Sequence, residues 1–192
     1  MIQTERYEQL EITHTDQLRS WLEKHHQQSK SIWLVTFKKH INDKYVDRFD
    51  VLDELICYGW IDGIRRKVDD DKTMQLISPR KAQHWVKTYK DRAARLEREG
   101  RMTDAGRRCI AISKQNGLWH FMDDVDALIK PEDLVLALNQ HKGAMSNFDN
   151  FGDASKRFVL RWIKLAKTPK TRAKRTEQTA SLAAQNKKVP GS

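Results

Sequence analysis

The residues best able to do chemistry in this chain lie in two neighbouring segments. Tyr58-Gly59-Trp60-Ile61-Asp62-Gly63-Ile64-Arg65-Arg66-Lys67 places an aromatic and an acid between two glycines and follows them with three consecutive cations. Ser78-Pro79-Arg80-Lys81 and His84-Trp85-Val86-Lys87-Thr88-Tyr89-Lys90 come shortly after. Guanidinium and ammonium groups donate charge-assisted hydrogen bonds to carboxylate or phosphate, and indoles supply flat walls for a small pocket. The free amides of a helix start would add to such a site. The combination predicts an anionic small-molecule site with Arg65, Lys67 and Arg80 as charged contacts, Trp60 and Trp85 as walls, and Asp62 as the orienting acid beside His84. The plainer reading is a structural turn with a solvated strand face, and Trp85 and Tyr89 packed against a sheet. An enzyme would need Asp62 and His84 within hydrogen-bond reach as an acid–base pair. The residue types alone specify no reaction.

A second charged feature lies at the C-terminal end. Residues 153–192 hold 11 basic and 2 acidic side chains, among them Arg161, Lys164, Lys167, Lys170, Arg172, Lys174 and Arg175. Such density would attract RNA or DNA through counterion release. No aromatic interleaving or nucleic-acid fold signature accompanies it, so a solvated helix face is the ordinary reading and nucleic acid is the alternative partner. The formal net charge of +10 follows the same gradient. Residues 1–60 carry 8 basic and 10 acidic side chains, 61–130 carry 16 and 11, and 131–192 carry 12 and 5.

Several chemistries lack their signatures. The glycines fall singly, with no G-x-G-x-x-G and no phosphate-binding loop ending in Gly-Lys. The seven histidines are scattered without H-E-x-x-H or Cys/His ligand spacing, so no metal and no cofactor is expected. No G-x-S-x-G elbow singles out a serine nucleophile. Cys57 and Cys109 form no C-x-x-C pair and lie in apolar patterns, which suits small buried residues in a reducing compartment. The start, MIQTERYEQLEITHTDQL, has no basic-then-apolar order, and no run approaches the roughly 18 apolar residues of a membrane helix. A cytoplasmic location without membrane insertion is therefore expected.

The elements that must position these residues read as α+β. Thr15-Asp16 caps a helix to about residue 28, and Ser31–Phe37 is a nearly continuous apolar strand, expected at the centre of a sheet. Asp50 caps a second helix burying Val51, Leu52, Leu55 and Ile56, stopped by Gly59. Ile61–Val68 and Thr73–Ile77 form a hairpin around Asp69-Asp70-Asp71-Lys72. Helices then follow over His84–Glu99, from a Thr103 cap to Gly117, over Glu132–Gln140 after Pro131, over Asp153–Ala166, and from Thr168-Pro169 to Ala184. The Asp153 helix should bury Phe158, Val159, Trp162, Ile163 and Leu165. The expected architecture is a small, mostly antiparallel sheet packed with helices, followed by an all-helical C-terminal half. Its divisions would be an α+β core over 1–100, a helical part over 101–185 packed on it, and a flexible tail over 186–192.

Several of these runs together resemble a known family. Ile56-Cys57-Tyr58-Gly59-Trp60-Ile61-Asp62-Gly63, Ile77-Ser78-Pro79-Arg80, Trp85-Val86-Lys87 and Gly100-Arg101-Met102-Thr103-Asp104-Ala105-Gly106 are similar to segments of the YdeI/OmpD-associated, bacteriocin-protection-like proteins. Arg161-Trp162-Ile163 and Ala166-Lys167-Thr168-Pro169-Lys170-Thr171-Arg172 resemble that family's closing helices, so the likeness runs over about residues 30–185. The resemblance implies a stress or antimicrobial-resistance role and an outer-membrane protein partner. It brings no active site that maps residue by residue.

Overall fold

The computed structural model describes residues 7–81 and 83–192. Residues 1–6, on which the reading of the chain's start partly rests, lie outside the described residues. The chain divides into two compact units, ending at His120 and beginning at Phe121.

In the first unit, β1 (Gln9–Glu11), β2 (Ile32–Phe37), β3 (Trp60–Lys67) and β4 (Lys72–Pro79) form one sheet in the order β1-β2-β4-β3. The β1–β2 pair is parallel and the other two are antiparallel, so the fold is α+β with a mostly antiparallel sheet. β2 holds the centre, and all its residues but Thr36 are buried, as its unbroken apolar run requires. The β3–β4 turn is built by Asp69, whose carboxylate accepts from the backbone N–H of Asp71 and Lys72. Those amides hold its pKa below the usual carboxylate range.

Helices α1 (Thr15–His25), α2 (Arg48–Cys57), α3 (Lys87–Arg98) and α4 (Asp104–Gln115) complete this unit. α1 buries Leu18 and Leu22 at i and i+4. Its cap is His14 rather than Thr15-Asp16, with Gln17 accepting from the His14 N–H. α2 starts at an Asp47 cap, not at Asp50, because Asp47 Oδ1 takes the Phe49 N–H at 2.7 Å. α3 begins at Lys87, three residues later than the sequence suggests. The Trp85 N–H bonds the Leu118 carbonyl, and the Arg80 guanidinium takes the carbonyls of Gln83 and His84, so these residues stay out of the helix. α4 is capped by Thr103 as expected and lies within the first compact unit. Its docking is close. A Cβ on Gly106 would stand 2.4 Å from the Cys57 carbonyl oxygen, which also accepts from Thr103 Oγ1.

The second unit contains α5 (Asp123–Asp126), α6 (Glu132–Gln140), α7 (Ala144–Asn150), α8 (Asp153–Lys164) and α9 (Pro169–Ala184). α9 packs against α6, α7 and α8 and buries a face of small residues, Thr176, Thr179, Ala180 and Ala183. α8 turns Val159, Leu160 and Ile163 inward, whereas Phe158 and Leu165, expected on the buried face, are exposed. Residues 186–192 fold back instead of hanging free: Val189 is buried, and a Cβ on Gly191 would touch Phe158. Among the described residues no helix is long and apolar enough to cross a membrane.

Candidate functional site

Two buried acids tie α2 to its neighbours, and one of them fixes α3 against it and thereby places the site. Asp53 and Glu54 lie on α2 and are each 3% exposed. Asp53 accepts from Arg92 at 2.8 Å and from Arg95, both on α3. Glu54 accepts from Arg19 of α1 at 2.9 Å and from Arg101 at 2.7 Å. Charge-assisted bonds of this kind are strong only because each buried carboxylate meets two guanidinium groups. The arginines register the pairing: Glu54 raises Arg101, and Asp53 raises Arg95, above the ordinary arginine value.

Held in this way, α3 lays Tyr89 between the sheet and Arg80. The Tyr89 hydroxyl donates to Asp62 Oδ1, while Gln75 Nε2 donates to Asp62 Oδ2 at 3.0 Å. The Arg80 guanidinium carbon sits 4.1 Å from the Trp85 ring centroid and 5.1 Å from that of Tyr89. Its Nη1 donates to the Gln83 and His84 carbonyls at 3.3 Å each. Arg80 is only 8% exposed, yet its Nε has no hydrogen-bond partner, and neither has Trp85 Nε1. Among the described residues no carboxylate pairs with Arg80. Burial therefore pulls the Arg80 pKa below the ordinary arginine value, against smaller opposing effects of Cys109, Tyr89 and Asp62. Every other described arginine with a resolved shift is moved the opposite way.

Arg80 lines a cleft of about 250 Å³ beside the Gly59 turn and the outer face of α4. Lys81 and Arg108 add two more cations, and Tyr58, Cys109 and Ser113 complete much of the wall; among the described residues no Asp or Glu lines it. Gly59 is required here on two counts. Its φ of +71° lies in the left-handed region, and a Cβ would come 2.8 Å from that of Cys109. Burial raises the Cys109 thiol pKa, partly countered by Arg80, and pushes Tyr58 up to about 12. The cleft can accept negative charge. Raised in this way, the Cys109 thiol is not an activated nucleophile.

The predicted site residues are gathered only in part. Asp62, Arg80 and Trp85 meet through Tyr89, and His84 joins through its backbone carbonyl. Trp60 is fully buried; its indole N–H donates to the His26 carbonyl and its ring meets Trp21 edge-on, so it is core rather than wall. Arg65 donates to Gln75 and faces a different hollow, and Lys67 pairs with Asp70 on the exposed hairpin. Both oxygens of Asp62 are occupied by Tyr89 and Gln75, which makes it a positioning group. Sequence reasoning missed Arg108, Cys109 and the Asp53/Glu54 pair. In the second unit Lys164 pairs with Asp124, Arg172 grips Asp133 through two nitrogens, and Arg175 bonds the Trp162 carbonyl beneath its ring contact. Arg161, Lys167, Lys170 and Lys174 remain on the surface. Among the described residues no cluster of His, Cys, Asp and Glu could hold a metal ion.

Fold and cleft together define an α+β protein with a buried, carboxylate-free arginine at the base of a cationic hollow. Residues 10–109, 100 of the 192, match the model of a domain of unknown function, DUF8412, and the chain belongs to that family. Residues 127–186 match the family described as Bacteriocin-protection, YdeI or OmpD-Associated. That match bears out the suspected resemblance and fits a protein connected with stress or resistance. Its match covers the closing helices, whereas the Ile56–Gly63, Ile77–Arg80 and Gly100–Gly106 runs fall in the stretch matched by the other model. Neither the curated proteins nor the solved structures contain a significant match to the chain.

Proposed function

We propose that the chain is a cytoplasmic stress- or resistance-associated protein that binds a small anionic metabolite in the cleft floored by Arg80. The observation that carries this is the burial of the Arg80 guanidinium without a carboxylate, with its Nε unpartnered and two further cations at the rim. A buried charge is normally paired, since an uncompensated one is strongly destabilising. An anion entering between Arg80, Lys81 and Arg108 would supply that compensation and would be held in a partly dry setting, where charge-assisted bonds are strongest. The absence of lining acids removes the usual repulsion against such a guest. The cleft suits binding rather than turnover, because Asp62 is engaged by Tyr89 and Gln75 and the Cys109 thiol is raised.

The test is thermal unfolding of the full chain with inorganic phosphate, pyrophosphate, sulfate and citrate at matched ionic strength. At least one should raise the melting temperature, and Arg108→Ala with Lys81→Ala, both surface changes, should weaken that anion by about tenfold or more. If none of these anions stabilises the protein, the reading is wrong.

A further inference from the structure

We infer that the first unit carries a second, separate anion site, between the sheet and the start of α2, that takes a small phosphate-bearing molecule. The hollow measures about 200 Å³ and is lined by Lys38, Lys39, Arg48 and Arg65, with Tyr45 and Gln75 among its polar walls and no Asp or Glu. Four cations around so small a space repel one another, so a guest with two negative charges gains from all of them at once.

Two of these cations are already occupied in ways that shape the site. Lys38 Nζ donates to the Asp69 and Asp70 carbonyls at 2.8 Å, which fixes its charge at the edge. Arg65 Nη2 donates to Gln75 Oε1 at 2.9 Å, and Gln75, only 7% exposed, is itself held by its bond to Asp62. That bond uses one guanidinium nitrogen and leaves the charge uncompensated. Arg65 is thus presented in a set orientation, which lowers the ordering cost of binding. Arg48 and Lys39 are exposed and have no carboxylate partner among the described residues. Asp47, beside Arg48, accepts from the Phe49 N–H and the Tyr45 hydroxyl. Arg65 on β3 and Arg48 at the start of α2, whose guanidinium also lies over the Phe49 ring, are planar forks that match the oxygens of a phosphate group better than a lone carboxylate. The Thr36 hydroxyl gives a further donor, whereas those of Tyr45 and Thr73 already donate to Asp47 and to the Arg66 carbonyl.

The two hollows share no lining residue, so they can be separated experimentally. The measurement is an amide-shift titration of the full chain with inorganic phosphate, then pyrophosphate, against sodium chloride of equal ionic strength. Amides of Thr36, Tyr45 and Thr73 should move with a half-saturation concentration of their own. Lys39→Ala with Arg48→Ala should raise that concentration about tenfold or more, leaving the response at Gly59 and Ala105 unchanged. Both substitutions lie on the surface and spare the Arg65–Gln75 bond. Failure of the first three amides to respond, or an unaltered response in the variant, overturns the second site. A response confined to these three would support it and count instead against the Arg80 cleft.

Discussion

Replacing Arg80 with methionine separates the two reasons a chain has for burying a guanidinium. If Arg80 were a structural cation like Arg101, whose partner Glu54 is 3% exposed, its loss would resemble breaking a buried ion pair, about 3–5 kcal/mol. Its surroundings differ. Methionine keeps most of the side-chain volume. It gives up stacking on Trp85 and Tyr89, worth about 2 kcal/mol for a desolvated cation. It also gives up two long 3.3 Å bonds to carbonyls, together of order 1 kcal/mol. Against this it relieves the unpartnered Nε–H, about 1–3 kcal/mol. It also removes a charge that burial disfavours, the cause that lowers the Arg80 pKa. The two sides nearly cancel. Urea unfolding followed by tryptophan fluorescence should therefore place Arg80→Met within about 1 kcal/mol of the parent. The parent should gain roughly 2.7 kcal/mol at an anion concentration one hundred times its dissociation constant, and the variant nothing. A loss above about 3 kcal/mol, or undiminished stabilisation by the anion, would refute the reasoning.

Three other expectations follow from the packing. Gly106→Ala should destabilise by about 1–3 kcal/mol in urea unfolding although alanine is the better helix former, because its Cβ would strike the Cys57 carbonyl; equal or greater stability would contradict this. Arg172 holds the Asp133 carboxyl below the usual carboxylate range. That pair therefore stabilises the second unit above the unfolded value of about pH 4 and is lost as pH falls through the lower folded value. With Asp133 partly exposed the gain is modest, a fraction of 1 kcal/mol up to about 1, and Asp133→Asn should differ from the parent at pH 7 but converge with it in acid melts. Cys57, fully buried with its pKa pushed to about 11, should resist iodoacetamide at pH 8 until the protein unfolds, as read by peptide mass mapping.

What could be read from the chain was local, and what could not was tertiary. The continuous apolar run Ile32–Phe37, the Thr103 cap and the Thr168-Pro169 start follow from side-chain size and capping within a few residues, and each stands in the structure. β1 has only three residues and a parallel partner, too short for alternation to register. Asp53 and Glu54 look like the solvated face of a charged helix; only arginines 35 to 47 positions away explain their burial. α8 misled because its apolar stripe is wider than the face its neighbours cover, leaving Phe158 and Leu165 out. The candidate site divides along the same line. Arg80 and Trp85 are close in sequence and meet, whereas Arg108 reaches the cleft only through the docking of Gly106 on Cys57.

The acids of the first unit explain why Arg80 stays uncompensated. Asp53 and Glu54 each consume two arginines, and Asp53, through Arg92 and Arg95, ties to α2 the helix that carries Tyr89. Asp62, the acid with the best chance of neutralising Arg80, is thereby taken by the Tyr89 hydroxyl on one oxygen and by Gln75 on the other. Arg80 is left facing an aromatic ring where a carboxylate would have closed the pair. A ring attracts a cation through its quadrupole without cancelling the charge, so the positive potential survives into the cleft shared with Lys81 and Arg108. Had Asp62 bonded Arg80 directly, the same residues would have made a stable buried ion pair and a neutral hollow. Interposing Tyr89 gives up that stabilisation and keeps the hollow cationic, an arrangement a purely structural arginine would not require.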